Sequence, residues 1–406
     1  MESKSPRLRQ AWDKYHASLD AARQTIEATP RFNDSPQHRT EAYSVLMQAQ
    51  TQAYNWIIAP RLNRPRIYTH RVFMPQLYTL GGPCPDIIYS ILPVDGRQTY
   101  RIHGRHGDVR LLMLQVFNRP MGIDGSRCTG NYEYAKSDEG NDEINIVLSP
   151  TEQKGHWIPL DPASDFNFIF IRRIVLDWED DAGKLEIELL GDPVGKQEDD
   201  DQLSEDDFAR RIEMAADFQH EHMVKNWGIA PYDFMLKMAG GHTNTWANVP
   251  GELMEQLTAS PSSNYAFLPY DIKPDEALVI ELDVPANSAY WSFQLADVWG
   301  KAIDYMYAQT DFNMQQAAID SGNKVRAVIS LRDPGLLNWL DPVGRAQGLC
   351  FLRNYRSESF KQPTVRSVKL DELRQLLPTE SKWVTPEQRQ RMVERRRPAI
   401  LGRYPD

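Results

Sequence analysis

Apolar positions along the chain change period several times, and each change marks an element. Near the N-terminus Tyr43, Leu46, Met47, Ala53, Tyr54 and Ile57 recur at helical spacing. Ser35 and Pro36 supply an N-cap and a proline at the first helical position, and Pro60 stops the run. The first sixty or so residues therefore read as two helices. From about Thr69 short apolar runs alternate with turn residues: DIIYSILP, DGRQTYRIHG and DVRLLMLQVF, which predict hairpins. FIFIRRIVLDW, EDDAG and KLEIELLG predict another, ending near Gly191. The acidic stretch GKQEDDDQLSEDD then reads as a solvated linker, and Ser204 with Asp207 caps a helix running to about Trp227. Strands resume near Asn264 with NYAFLPYDI, EALVIELDV and AYWSFQLADVW. Leu278, Ile280, Leu282 and Val284 alternate with Val279, Glu281 and Asp283, the pattern of a half-buried strand. A tail of turns and one charged helix follows.

The two extended regions repeat one another. Residues 88–116 and 264–295 share an order of tyrosine, Leu-Pro, Asp, strand, turn and strand, with Gln115 and Gln294 near the same point. The expected organisation is N-terminal helices over 1–62, a first β-sandwich over 63–192, an acidic linker and helices over 193–260, a second β-sandwich over 261–370 and a helical tail over 371–406. Each sandwich is expected to be antiparallel.

Composition agrees with this division. At 406 residues the chain exceeds the size at which one core keeps growing. Its 41% hydrophobic and 25% charged residues are ordinary for a globular protein. No run approaches the length of a membrane span, and MESKSPRLRQAWDKYH has no apolar core for a secretory signal, so the expected location is cytoplasmic. Cys84, Cys128 and Cys350 are odd in number and far apart, which favours reduced thiols. A net charge of -10 argues against nucleic acid as a partner. The basic cluster from Arg389 to Arg397 reads as a solvated helix or a subunit contact.

WSFQLADVWGKAIDYMYAQT and VRAVISLRDPGLLNWLDPVGRAQGLCFLRNY, with the NWLD element at Asn338–Asp341 and the DPG turn at Asp333–Gly335, resemble the bacterial domain of unknown function 1214. DIIYSILPVDGRQTYRIHGRHG resembles the domain that accompanies it, domain of unknown function 1254. The resemblance covers roughly two thirds of the chain. It implies tandem jelly-roll-like β-sandwiches and brings no catalytic mechanism with it.

Several constellations are candidates for chemistry. On TYRIHGR the side chains of Arg101, His103 and Arg105 share one face. Lining a cavity, they would hold an anion and move a proton; facing water, they are the polar side of a strand. Asp177 and Glu179 flank Trp178 in an acidic turn, and are acid/base candidates against a plain turn. His220, Glu221 and His222 would share a metal face on a strand but diverge on the expected helix, so a divalent metal held with His242 is a minor alternative. No glycine-rich phosphate loop, dinucleotide fingerprint or Gly-x-Ser-x-Gly elbow occurs, so no organic cofactor is expected. Tyr290, Trp291, Trp299, Tyr305, Tyr307 and Trp339, with Gln294, Asp297, Asn338 and Arg353, would make an aromatic wall for a sugar ring or flat molecule, against a reading as core. Tyr89 and Gln115 are the corresponding binding candidates of the first repeat.

The resulting expectation is a cofactor-independent hydrolase or lyase that binds a small or mid-sized organic substrate between two sandwiches, with His103 and Asp177 or Asp297 as acid and base. The alternatives are a non-catalytic binding module for carbohydrate, lipid or protein, separated by an exposed aromatic patch, and a metal-dependent enzyme. A homo-oligomer is expected because the apolar N-terminal helices must pack against something.

Overall fold

In the computed structural model, residues 5–62, 64–69, 78–135, 142–191, 203–250 and 263–403 are described. The chain is mainly β and divides into two compact units. One comprises Met1–His70, Ile88–Arg173 and Asp181–Ile229; the other Arg71–Ile87, Ile174–Asp180 and Ala230–Asp406. The expected boundaries differ in two ways. The central helix falls with the N-terminal helices in the first unit, and two short segments from the first half of the chain belong to the second unit. Most of the expected acidic linker, 192–202, lies outside the described residues.

In the first unit one sheet runs in the order β1 (Tyr68–Thr69), β2 (Ile87–Val94), β8 (Asn167–Ile174), β4 (Leu111–Phe117) and β5 (Cys128–Tyr134). The other runs β7 (Trp157–Pro159), β6 (Glu143–Ser149), β3 (Thr99–Arg105) and β9 (Lys184–Leu190). In the second unit the sheets run β10 (Ser263–Asp271), β16 (Gln347–Tyr355), β12 (Tyr290–Ala296) and β13 (Asp311–Asn313), and β15 (Trp339–Leu340), β14 (Lys324–Ile329), β11 (Glu276–Asp283) and β17 (Thr364–Lys369). The order β2-β8-β4-β5 is thus repeated as β10-β16-β12-β13, and β7-β6-β3-β9 as β15-β14-β11-β17. Gln115 and Gln294 are each the fifth residue of their strands, β4 and β12.

The expected hairpins do not form. β2, β3 and β4 alternate between two sheets, and β8 and β9 lie in different sheets although only the nine residues 175–183 separate them. Turn residues mark where a strand ends; they do not say which strand it pairs with. The sheets are also not wholly antiparallel, because β6 with β7 and β14 with β15 pair in parallel at sheet edges.

The helices of the first unit are α1 (Pro6–Glu27), α2 (Pro36–Ala53) and α3 (Glu205–Asp217), with π-helical turns at Tyr54–Ile58 and Phe218–Ile229. Ser35 and Ser204 cap their helices by accepting from the amides of His38 and Asp207, as the sequence predicts. Lys14 reaches Asp217 at 2.9 Å, and Arg7 pairs with Glu213, which ties α1 to α3. The apolar helix pair therefore finds its partner inside the unit. Trp56 packs on Phe168 and Phe170 of β8 and on Phe218 and Trp227, so the helices cover a sheet face.

In the second unit one apolar cluster takes Leu278 and Ile280 from β11, Val325 and Ala327 from β14, and Trp291, Phe293 and Leu352 from β12 and β16. Two sheets sharing one core is what a sandwich requires. Val279, expected on a wet face, is instead covered by Leu336, Trp339 and Leu373. The helices here are α4 (Ala230–Met238) and α5 (Pro386–Gly402), the latter opened by a Thr385–Gln388 capping box.

Candidate functional site

Alternation along β12 separates its two faces. Trp291, Phe293 and Leu295 enter the core, and Tyr290, Ser292 and Gln294 point the other way. Register places Ser292 opposite Asn313 and Arg353, and Gln294 opposite Asp311 and Phe351, so one face of the β10-β16-β12-β13 sheet is polar. An antiparallel sheet usually leaves such a face in water. Here it is covered: Tyr290, Ser292, Gln294, Asp311, Asn313 and Arg353 are all at most 5% exposed.

The cover begins with the segment before β2. Asp86, fully buried, accepts hydrogen bonds from the Tyr290 hydroxyl at 2.6 Å, Trp178 Nε1 at 2.7 Å and Asn313 Nδ2 at 2.9 Å. The Tyr290 oxygen also lies 2.7 Å from Ser292 Oγ and 3.1 Å from Cys84 Sγ. Arg353 donates to Gln294 Oε1 at 2.5 Å and to the Gly82 carbonyl at 2.9 Å, while Gln294 donates to the Pro83 carbonyl at 2.8 Å. Backbone carbonyls of the covering segment are thereby satisfied by side chains of the sheet.

Helix α5 completes the cover. Arg396 donates to Asp311 and, at 2.6 Å, to the Tyr305 carbonyl, and stands 4.5 Å from the Trp178 ring centre. Arg389, one heptad earlier, reaches Leu336 O and Gln309 Oε1; Arg403, one heptad later, reaches Pro85 O at 2.6 Å. Residues seven apart share a helix face. The basic cluster expected on a solvated helix therefore contains buried arginines that fasten α5.

Burial and the neighbouring Asp86 push the Asp311 carboxyl up to about 7, against the pull of Arg396. Its Oδ2 has no hydrogen-bond partner among the described residues. Burial, reinforced by Asp86, raises Tyr290 well above the ordinary phenol range, and burial lifts the Cys84 thiol to about 11. A carboxyl that holds its proton near neutrality, beside a second carboxylate that accepts from a phenol, is equipped to give or take a proton.

The first unit supplies an internal comparison. Gln115 pairs with Asn131 and Met113 with Glu133, as Gln294 pairs with Asp311 and Ser292 with Asn313. Arg172 stands 4.7 Å from the Phe170 ring, as Arg353 stands 5.0 Å from Phe351. By the same register Tyr290 corresponds to Leu111, Ser292 to Met113 and Asp311 to Asn131. One copy of the strand order closes with Leu and Met where the other has Tyr and Ser beside a buried acid.

Most residues singled out from the sequence occupy other roles. Arg101 and Arg105 are exposed and paired with Glu188 and Asp181, and His103 stands opposite Glu186, so that row is the polar side of β3. Exposed Asp177 accepts from the Glu179 amide at 3.1 Å, capping its own turn. Asp297 accepts from the amides of Trp299 and Lys301 at 2.9 and 3.0 Å, again a turn. Trp291, Trp299 and Tyr305 are buried, and Trp339 is buried with Nε1 donating to Ser330 O, so the aromatic wall is core; Tyr307 alone of that set is exposed. Asn338 braces Ala318 through both its amide atoms. Tyr89 stacks on Phe170, and Gln115 is buried. His220 lies 3.1 Å from Thr25 Oγ1, His222 is buried among aromatic rings and His242 is exposed; no group of metal-ligating side chains forms among the described residues. Tyr290, Gln294 and Arg353 carry over into the polar face, Tyr290 as a hydroxyl donor rather than a wall ring, whereas Asp86, Asp311, Asn313 and Arg396 were missed.

No family model matches the chain, and no curated protein matches it. Among solved structures it is similar to an uncharacterised protein from Burkholderia cenocepacia, with a TM-score of 0.79 and 24% identity, over 91% of this chain and 99% of that one. The VPA0106 protein of Vibrio parahaemolyticus aligns with a TM-score of 0.45 and 11% identity, over 80% of this chain and 97% of that one. The Burkholderia protein shares the fold of this chain, and that likeness speaks to fold alone.

Proposed function

We propose that the chain is a cofactor-independent acid–base enzyme, of hydrolase or lyase type, whose working groups are Asp311, Asp86 and Tyr290 on the polar face of the second unit. The observation that carries this reading is the contrast between copies. The first unit keeps the Gln, Arg and Phe of this face but has Leu, Met and Asn at the positions of Tyr290, Ser292 and Asp311, and its one acid there, half-buried Glu133, stands at the position of Asn313, so the Tyr–Ser–Asp311 set is particular to the second unit. Buried polar groups that a fold can dispense with are candidates for function. In this reading Asp311 gives and takes the proton, Asp86 holds Tyr290 and Asn313, and Arg353 and Arg396 balance negative charge on a small organic substrate. The cover then has to open for entry, and Gly81 and Gly82, with φ of 80° and 59°, are the hinge. A screen of small esters, lactones and β-hydroxy acids, followed by loss of turnover in Asp311→Asn and retention in His103→Ala, supports it. Turnover unchanged in Asp311→Asn refutes it.

A cytoplasmic location and membership of the domain of unknown function 1214 family belong to the same proposal. Among the described residues no helix is long and apolar enough to cross a membrane. Self-association is also proposed, through the exposed Tyr43, Met47 and Tyr54 along α2 and its following turn. Sedimentation at increasing concentration tests it: a monomer throughout refutes it.

A further inference from the structure

Helix α5 buries arginines where a docked helix ordinarily buries apolar side chains. Its buried positions are Arg389, Arg396 and Ile400, and Arg403, its C-cap, is 7% exposed. Three of these four dock through hydrogen bonds. Their acceptors are largely loop carbonyls: those of Leu336 and Leu337 for Arg389, Tyr305 for Arg396 and Pro85 for Arg403. None of these four acceptors lies in a strand, so α5 can leave without opening a ladder, and water can replace each bond.

The two ends of the helix are held differently. Just before α5 the Leu337 amide donates to Lys382 O at 2.8 Å and the Val384 amide to Gly335 O at 2.7 Å, and Trp383 packs on the cluster around Val279. The first turn then caps itself through Thr385 and Gln388. At the far end Arg403 donates to Pro85 O, while its Nε and Nη1 have no partner among the described residues. Buried donors left unmade weaken that attachment.

From this we infer that α5 is an autoinhibitory latch, which pivots on the Lys382–Thr385 anchor, lets go first at Arg403 and so releases the segment that carries Pro85. Arg403 grips that segment beyond Gly81 and Gly82, so their hinge cannot turn while α5 is docked. A small tilt suffices, because Arg403 lies about 27 Å along the helix from the pivot and Arg396 only about 17 Å. That the latch regulates turnover rests on the acid–base reading; that it opens does not.

The chain carries its own reporters. Cys84, in the covering segment, is 1% exposed, and Cys350 is fully buried in the core of the second unit. Pulsed alkylation of the full chain with iodoacetamide, read peptide by peptide by mass spectrometry, compares the wild type with Arg403→Glu and Arg397→Glu. Arg403→Glu sets a carboxylate against the Pro85 carbonyl, and Arg397→Glu makes the same charge change at an exposed position of the same helix. In the wild type Cys84 is expected to react about tenfold or more faster than Cys350, since a local opening reaches it without global unfolding. Arg403→Glu is expected to raise the Cys84 rate about tenfold, the factor of one buried hydrogen bond, with Cys350 unchanged. Arg397→Glu is expected to leave both rates within about twofold of the wild type. The latch is overturned by equal Cys84 and Cys350 rates in the wild type. It is equally overturned by a Cys84 rate that Arg403→Glu leaves alone, raises only together with Cys350, or raises no more than Arg397→Glu does. Faster Cys84 labelling beside turnover that is absent from wild type and variant alike would sink the acid–base reading and leave the latch standing.

Discussion

The hydroxyl of Tyr290 lies 2.6 Å from a carboxylate oxygen of Asp86, although the two residues are 204 positions apart and both are buried. This bond fastens the segment before β2 to the polar face of the β12 sheet. Tyr290→Phe keeps the ring and deletes the hydroxyl, leaving Asp86 one donor short. The expected loss is about 1–3 kcal/mol, read as a shift of the urea midpoint without a change in slope. No measurable shift would show that the hydroxyl is not holding the cover.

Asp311 makes stability fall as pH rises. Its folded-state carboxyl is raised to about 7 from the ordinary aspartate value of 3.8, so between those limits the native state binds more proton than the unfolded chain. Its contribution is present in full below the unfolded value and is lost on the way up to the folded one, at about 1.4 kcal/mol per pH unit of difference in affinity. Asp311→Asn carries no titrating proton there. Measured between pH 4 and about pH 7, the variant is expected to show a more positive slope of stability with pH than the wild type; parallel curves would contradict the assignment.

Arg396 and Arg395 are neighbours with opposite environments. Arg396 is 7% exposed and joins Asp311, whereas the Arg395 side chain is 78% exposed and stands 3.7 Å from Glu179. Arg396→Leu removes the donor to the Tyr305 carbonyl and to Asp311 and is expected to cost about 1–3 kcal/mol. Arg395→Ala is expected to stay within about 0.5 kcal/mol of the wild type. Chemical denaturation of both variants decides it, and equal effects would mean that α5 is not fastened through its heptad-spaced arginines.

Sequence carried the fold further than it carried the site. Ser35-Pro36 and Ser204 announced helix starts because capping is local chemistry. The paired Gln115 and Gln294 marked a true repeat because duplication preserves order. Strand partners were illegible, since β8 and β9 are near in sequence and hydrogen-bond to different strands. The polar face was illegible for the same reason: Asp86, Tyr290, Asp311 and Arg396 come from four distant stretches, and only the register brings them together. One signal was available and unused, the spacing of Arg389, Arg396 and Arg403 at successive heptads.

His222 gives the first unit an acid limit. Burial holds its ring neutral and lowers it to about 3 from 6.5. The unfolded chain takes up a proton near 6.5 that the native ring refuses, so its contribution is full above that pH and is lost as pH falls towards 3. His222→Leu is expected to flatten the acid limb of the thermal stability profile. An unchanged limb would show that the ring is not buried in solution.

The most direct test of the account is a carbon-13 NMR titration of side-chain carboxyls in protein labelled at aspartate, wild type beside Asp311→Asn. One carboxyl titrating near pH 7 and missing from the variant is the predicted result, and it would establish a proton-holding acid on the covered polar face. Aspartates that all titrate in the ordinary acidic range would contradict it and reduce the face to a set of structural hydrogen bonds.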